Sequence, residues 1–99
     1  MKVVLTEEAR SDLEQIADYI ARNSPARAES FILELIAKAR QLGELPSGFP
    51  LVPRYEHLGI RRRAHGNYAI FYRVETDRVS VIHILHSARD YEALLFPED

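Results

Sequence analysis

The sequence predicts an α+β fold in two layers, a helical hairpin packed on an antiparallel sheet in the order β-α-α-β-β-β. Three observations carry that prediction. Two long amphipathic stretches follow one another with only Asn23-Ser24-Pro25 between them. Gly66-Asn67 then separates two strand-like runs, Ile60 to His65 and Tyr68 to Val74, and such a dipeptide supplies the positive φ a tight hairpin needs. Finally, Val79 to Leu85 reads VSVIHIL, a run rich in β-branched residues that suit a pleated strand.

Each element has its own signals. Val3-Val4-Leu5 is the first strand, and Thr6 stands where an N-cap belongs, with Glu7 and Glu8 favouring the helix dipole behind it. Ala9, Leu13, Ile16, Ala17 and Ile20 recur at helical spacing, while Arg10, Asp12, Glu14, Gln15 and Asp18 take the other faces. Ser24 caps the second helix and Pro25 occupies its first position, where a missing N–H costs nothing. Ala28, Phe31, Ile32, Leu35, Ile36, Ala39 and Leu42 form its apolar stripe, and Gly43 ends it. From Pro46 to Gly59, three prolines and two glycines break all periodicity and mark a loop. Thr76-Asp77-Arg78 is the turn before the last strand, and Arg89 to Leu95 is a short helix ahead of Phe96-Pro97. If each element reverses direction, the first strand lies antiparallel beside the last and both helices cover one sheet face.

Composition narrows the function. The 99 residues make one domain, 1–99, with no cysteine and hence no disulfide or thiolate metal site. No apolar run approaches membrane-spanning length, and the acidic residues after MKVVLT arrive too early for a signal peptide, so a cytoplasmic location is expected. Residues 1–53 carry a net charge of −2, residues 54–89 of +4 and residues 90–99 of −4. The whole chain, at −2, is no general polyanion binder, and no sequence-specific nucleic-acid binding is expected. Eleven of the thirteen bases are arginines, whose planar guanidinium pairs bidentately with carboxylates or phosphates.

A two-residue hairpin loop puts Ile60, Arg62, Ala64, Ala69, Phe71 and Arg73 on one face. Arg61, Arg63, His65, Tyr68, Ile70, Tyr72 and Val74 share the other, which the longer apolar row turns toward the helices. Arg61 and Arg63 then lie at the sheet edge with their heads in solvent. His83 and His86, three apart on one strand, point to opposite faces and do not chelate together, so no metal or other cofactor is expected. His83 reads as a partly buried histidine with a hydrogen-bond partner. No glycine-rich phosphate loop and no nucleophile held beside an oriented base can be found, so no catalytic residue is assigned.

The runs VLTEEARSDLEQIADYIA, GIRRRAHGNYAIFYRV and VIHILHSARDY, with the Ser-Pro start of the second helix, resemble the ParE branch of the ParE/RelE toxin superfamily over essentially the whole chain. The resemblance implies a toxin of a type II toxin–antitoxin module, held inactive by a ParD-like antitoxin, with DNA gyrase as its target. RelE-type relatives instead cut mRNA on the ribosome with basic residues on the open sheet face. Arg62 and Arg89 match that pattern, but Ile60 and Ala69 stand where it has a lysine and an arginine, and Leu95 where it has a tyrosine. A site missing that much phosphate-binding charge is crippled, so a non-enzymatic inhibitor is the leading expectation and a ribosome-dependent endoribonuclease the alternative. Arg62, Arg73, His86, Arg89, Asp90 and Tyr91 are the candidate target-binding residues. Leu13, Ile16, Ile20, Phe31, Leu35, Arg61 and Arg63 are the candidate antitoxin contacts. For the tail two readings stand: Tyr91, Leu94 and Leu95 meet the target, or they pack over the sheet's open face.

Overall fold

A computed structural model describes residues 1–96. Pro97, Glu98 and Asp99, the end of the acidic tail, lie outside the described residues. The chain forms β1 (Lys2–Leu5), α1 (Glu7–Ala21), α2 (Pro25–Gln41), β2 (Ile60–His65), β3 (Tyr68–Val74), β4 (Arg78–His86) and α3 (Tyr91–Leu95), with one 3₁₀ turn at Glu56–Leu58. The sheet order is β1-β4-β3-β2. The β2–β3 register is the one the hairpin predicts, with His65 opposite Tyr68 and Arg62 opposite Phe71. Among non-glycine residues near the turn none has positive φ; Gly66 alone carries it, at 59°.

Both helix caps form as read. Thr6 Oγ1 accepts from Ala9 N–H and Ser24 Oγ from Arg27 N–H. Thr6 does more than cap. Its N–H donates to Val81 O at 3.0 Å and its hydroxyl to Ile82 O at 3.0 Å, so the chain enters α1 still tied to β4. This corrects the expected strand direction, because β1 lies beside β4 but runs parallel to it. With Thr6 as the whole connection, α1 cannot turn back. It continues along β4, reaching Ile84 at Asp12 and the neighbourhood of His86 by Arg22. Helix α2 then returns to the start of β1, where Met1 N donates to Gly43 O at 2.6 Å. Gly43 is therefore not a left-handed cap. Its φ is ordinary, and a Cβ there would collide with the Met1 carbonyl.

The helix-facing core joins Leu13, Ile16, Phe31, Leu35 and Leu42 to Ile70, Tyr72, Val79, Val81 and Ile84. The face assignment of β3 thus holds. In β4 a bulge places Phe71 opposite His83 but Tyr72 opposite Val81, with Ile82 as the extra residue. It lets Val81 and Ile84 both face the helices while Ile82 and Leu85 face away. The far face is not open. Val52, Ile60, Ala69, Phe71 and Leu85 form a second cluster there, under Tyr55, Tyr91, Leu95 and Phe96.

Helix α2 is clasped to the β2–β3 hairpin through Glu34, which accepts from Arg27 Nη1 at 2.7 Å and lies 3.0 Å from His65 Nε2. The His65 and Arg27 side chains both cover the Phe31 ring. The Arg27 guanidinium first, and His65 second, hold the Glu34 carboxyl below its ordinary value of 4.5. A carboxyl depressed in the folded state contributes stability above its unfolded pKa and loses it as pH falls through the folded one. Glu34→Gln is therefore expected to unfold more easily in urea than wild type at pH 7, and the difference should vanish near pH 3. A gap between the two proteins that does not change with pH would contradict this origin. The pair is exposed, so salt should shrink the gap too.

Candidate functional site

The six residues expected to meet a target fall into a group of three, a pair, and one that stands apart. Arg62 belongs to the covered face. Its Cζ lies 5.9 Å from the Tyr91 ring centroid, Nη2 reaches Ser87 Oγ at 3.4 Å, and Nε is buried with no hydrogen-bond partner. Tyr91 packs on Phe71 with ring centroids 4.9 Å apart. Asp90 caps α3, its Oδ1 accepting from Ala93 N–H. These three therefore build the fold's second face, which is the packing reading of the tail. Leu94 departs from it and stays exposed. Glu92 strengthens the closure by accepting from Tyr55 OH, and the Tyr55 and Phe96 rings stack at 3.7 Å.

His86 and Arg89 remain outside, at the end of β4. Together with Gln15, Asp18, Tyr19, Arg22 and Tyr68 they line a cleft of about 400 Å³ between α1 and the start of β3. Tyr68 meets His86 edge-on at 5.2 Å, and Arg22 lies 5.9 Å from the Tyr19 ring. Burial first, and the neighbouring Tyr19 second, push the Tyr68 phenol above its ordinary value of 10.0, so it stays a neutral donor. Arg73 is exposed at the opposite end of β3, where its Nε donates to Leu58 O at 3.3 Å. The structure thus brings His86 and Arg89 together and leaves Arg73 apart. Tyr19, Arg22 and Tyr68 were missed in the sequence, because their proximity depends on α1 running on past β1 along β4.

The helix residues expected to bind an antitoxin need correction. Leu13, Ile16, Phe31 and Leu35 are buried against the chain's own sheet, none more than 8% exposed, and Ile20 is half-buried. The outer surface instead exposes Tyr19 at 62% and Leu33 at 60%. Arg61 and Arg63 are half-buried, and their heads are bonded to the chain rather than free in solvent. Arg61 Nη1 donates to Phe49 O at 2.7 Å and Arg63 Nη1 to Lys38 O at 3.1 Å, pinning the loop and α2 to the sheet edge. Lys38 lies in the last turn of α2, where carbonyls run out of backbone donors and a guanidinium can supply one.

His83 is the partly buried histidine expected, and its partner is Asp12, which sequence periodicity had turned outward. Asp12 Oδ2 accepts from His83 Nδ1 at 2.7 Å and from Ile84 N–H at 2.9 Å. No three metal-ligating side chains come together among the described residues, and none of their helices is long and apolar enough to cross a membrane.

The sequence profile of the ParE toxin of type II toxin–antitoxin systems, parDE, matches residues 3–91, nearly the whole chain. This chain belongs to the ParE toxin family. The fold agrees with two solved toxin–antitoxin structures. The chromosomal ParDE system from P. aeruginosa superposes with a TM-score of 0.73 at 20% identity, covering 87% of this chain and 95% of that one. The RelBE2 toxin–antitoxin complex from Mycobacterium tuberculosis gives 0.64 at 22% identity, covering 86% and 95%. No curated protein matches the chain significantly in sequence. As a ParE-family toxin it shares its fold with both of these solved structures, and fold alone does not set a mode of action, so that has to be argued from its own residues.

Proposed function

We propose that this ParE-family toxin acts in the cytoplasm by binding DNA gyrase and blocking it, breaks no covalent bond itself, and is neutralised by a ParD-like antitoxin. The observation that carries the reading is the covered sheet face. An RNA-cutting relative would need cationic donors there to meet a phosphodiester, since fixed donors at developing charge supply much of such catalysis. Here Ile60 and Ala69 are buried in an apolar cluster, Phe71 is 1% exposed, and Arg62 lies beneath Tyr91. The Arg62 guanidinium is half-buried, its Nε closed off from solvent and its plane set against the Tyr91 ring rather than turned to an open face.

The antitoxin reading rests on the exposed apolar residues of the helices. Leu33, 60% exposed on α2, offers a margin on which an amphipathic helix could settle. The two solved structures of like fold are of a ParDE system and a RelBE2 complex.

Purified protein in excess is expected to stop gyrase supercoiling a relaxed plasmid, and adding the antitoxin first should restore it. Induction in cells should arrest growth without producing fresh mRNA 5′ ends in primer extension. New 5′ ends within minutes, with supercoiling undisturbed, would establish the endoribonuclease alternative instead.

A further inference from the structure

We propose that the cleft at the end of β4, lined by Tyr19, Arg22, Tyr68, His86 and Arg89, receives a carboxylate-bearing segment of the toxin's protein target. This deepens the reading above and rests on it for the claim that the toxin acts by docking. Arg22, Tyr68, His86 and Arg89 bring donors to the cleft, beside the carboxylates of Asp12 and Asp18. Arg22 and Arg89 line it from the end of α1 and from the turn after β4, so an acidic segment lying in the cleft meets a guanidinium on either wall. His86 Nδ1 accepts from Ala88 N–H at 3.1 Å, which leaves Nε2–H as the donor of the neutral imidazole. Tyr68 adds a phenol kept neutral by its surroundings. Asp12, also on the lining, is already engaged by His83 and Ile84 and does not compete for these donors.

The cleft fits protein better than nucleic acid. Asp18 lies one turn before Arg22 on the same wall, and the chain carries a net charge of −2. A polyphosphate backbone would set one of its charges against that carboxylate with no donor to offer it, whereas a peptide can pair a donor with it and its own acid with the arginines. The rings of Tyr19 and Tyr68 give such a segment apolar surface beside the charge.

Two measurements test the assignment. In the first, ¹⁵N-labelled toxin is titrated with the probe acetyl-Asp-Tyr-Asp-amide and with its Asn-Tyr-Asn counterpart. The acidic probe should shift amides at residues 19, 22, 68, 86 and 89 and bind about tenfold more tightly than the neutral one. Equal binding, or shifts confined to other residues, overturns the proposal. In the second, the Arg22→Gln, Arg89→Gln double variant is induced in cells. Both side chains are exposed, so its melting temperature should stay close to wild type while growth arrest is lost. Persistent arrest overturns the proposal, as does a variant that still arrests growth but escapes its antitoxin, which would assign the cleft to the antitoxin. If the acidic probe binds through these residues while gyrase supercoiling is undisturbed, the gyrase target falls and the carboxylate cleft stands.

Discussion

Replacing Asp12 with alanine is expected to cost the fold about 2–3 kcal/mol and to lower its melting temperature by roughly 10–20 °C. Strand β1 ends at Leu5, opposite Val81, so among the described residues β4 beyond that point has no neighbouring strand on this side. The Ile84 N–H that faces the gap is satisfied by Asp12 Oδ2 at 2.9 Å, and the same oxygen holds His83 Nδ1 at 2.7 Å. The carboxylate thus stands in for a strand that is not there and ties α1 to the bulged part of the sheet. Alanine would leave a buried donor without an acceptor, which costs more than a bond that is merely exchanged for water. Asp12→Asn keeps an oxygen for Ile84 and should lose about half as much. Scanning calorimetry on the three proteins checks this, and an alanine variant within about 0.5 kcal/mol of wild type would show the contact to be dispensable.

Asp12 also shows where the sequence stops being legible. Periodicity identified both helices and the caps at Thr6 and Ser24, because those signals lie within a few residues of one another. The hairpin register followed from Gly66-Asn67 for the same reason. Asp12 is polar and sits beside an apolar stripe, so its burial has a cause only when β4 lies alongside, 71 residues away. The parallel pairing of β1 had a similar origin. Whether a helix turns back or runs on depends on how Thr6 bonds to Val81 and Ile82, and no local pattern encodes that. The Ile82 bulge breaks the simple alternation that VSVIHIL suggests, which hid the phase of His83. Arg61 and Arg63 were read as surface cations because arginine usually is one. Their partners are main-chain carbonyls in the loop before β2 and in the last turn of α2, and these carry no sequence signature.

Phe71→Ala is expected to be more damaging still, at about 3–5 kcal/mol and roughly 20 °C in melting temperature. The ring is 1% exposed, touches Tyr91 at a centroid distance of 4.9 Å, and belongs to the cluster that α3 and the Val52–Tyr55 segment cover. Its removal would empty a cavity between the sheet and a five-residue helix that has no fully buried residue of its own. Helix α3 should then detach and expose Arg62. The size of the loss bears on function, because a platform for stacking RNA bases would be solvent-facing in the free protein and its truncation would barely alter stability. Phe71→Leu separates the two roles. It keeps most of the apolar volume without the ring, so the variant should fold and still arrest growth on induction. If it melts like wild type yet no longer arrests growth, the aromatic ring itself meets the target, and the covered face would have to open for the toxin to act.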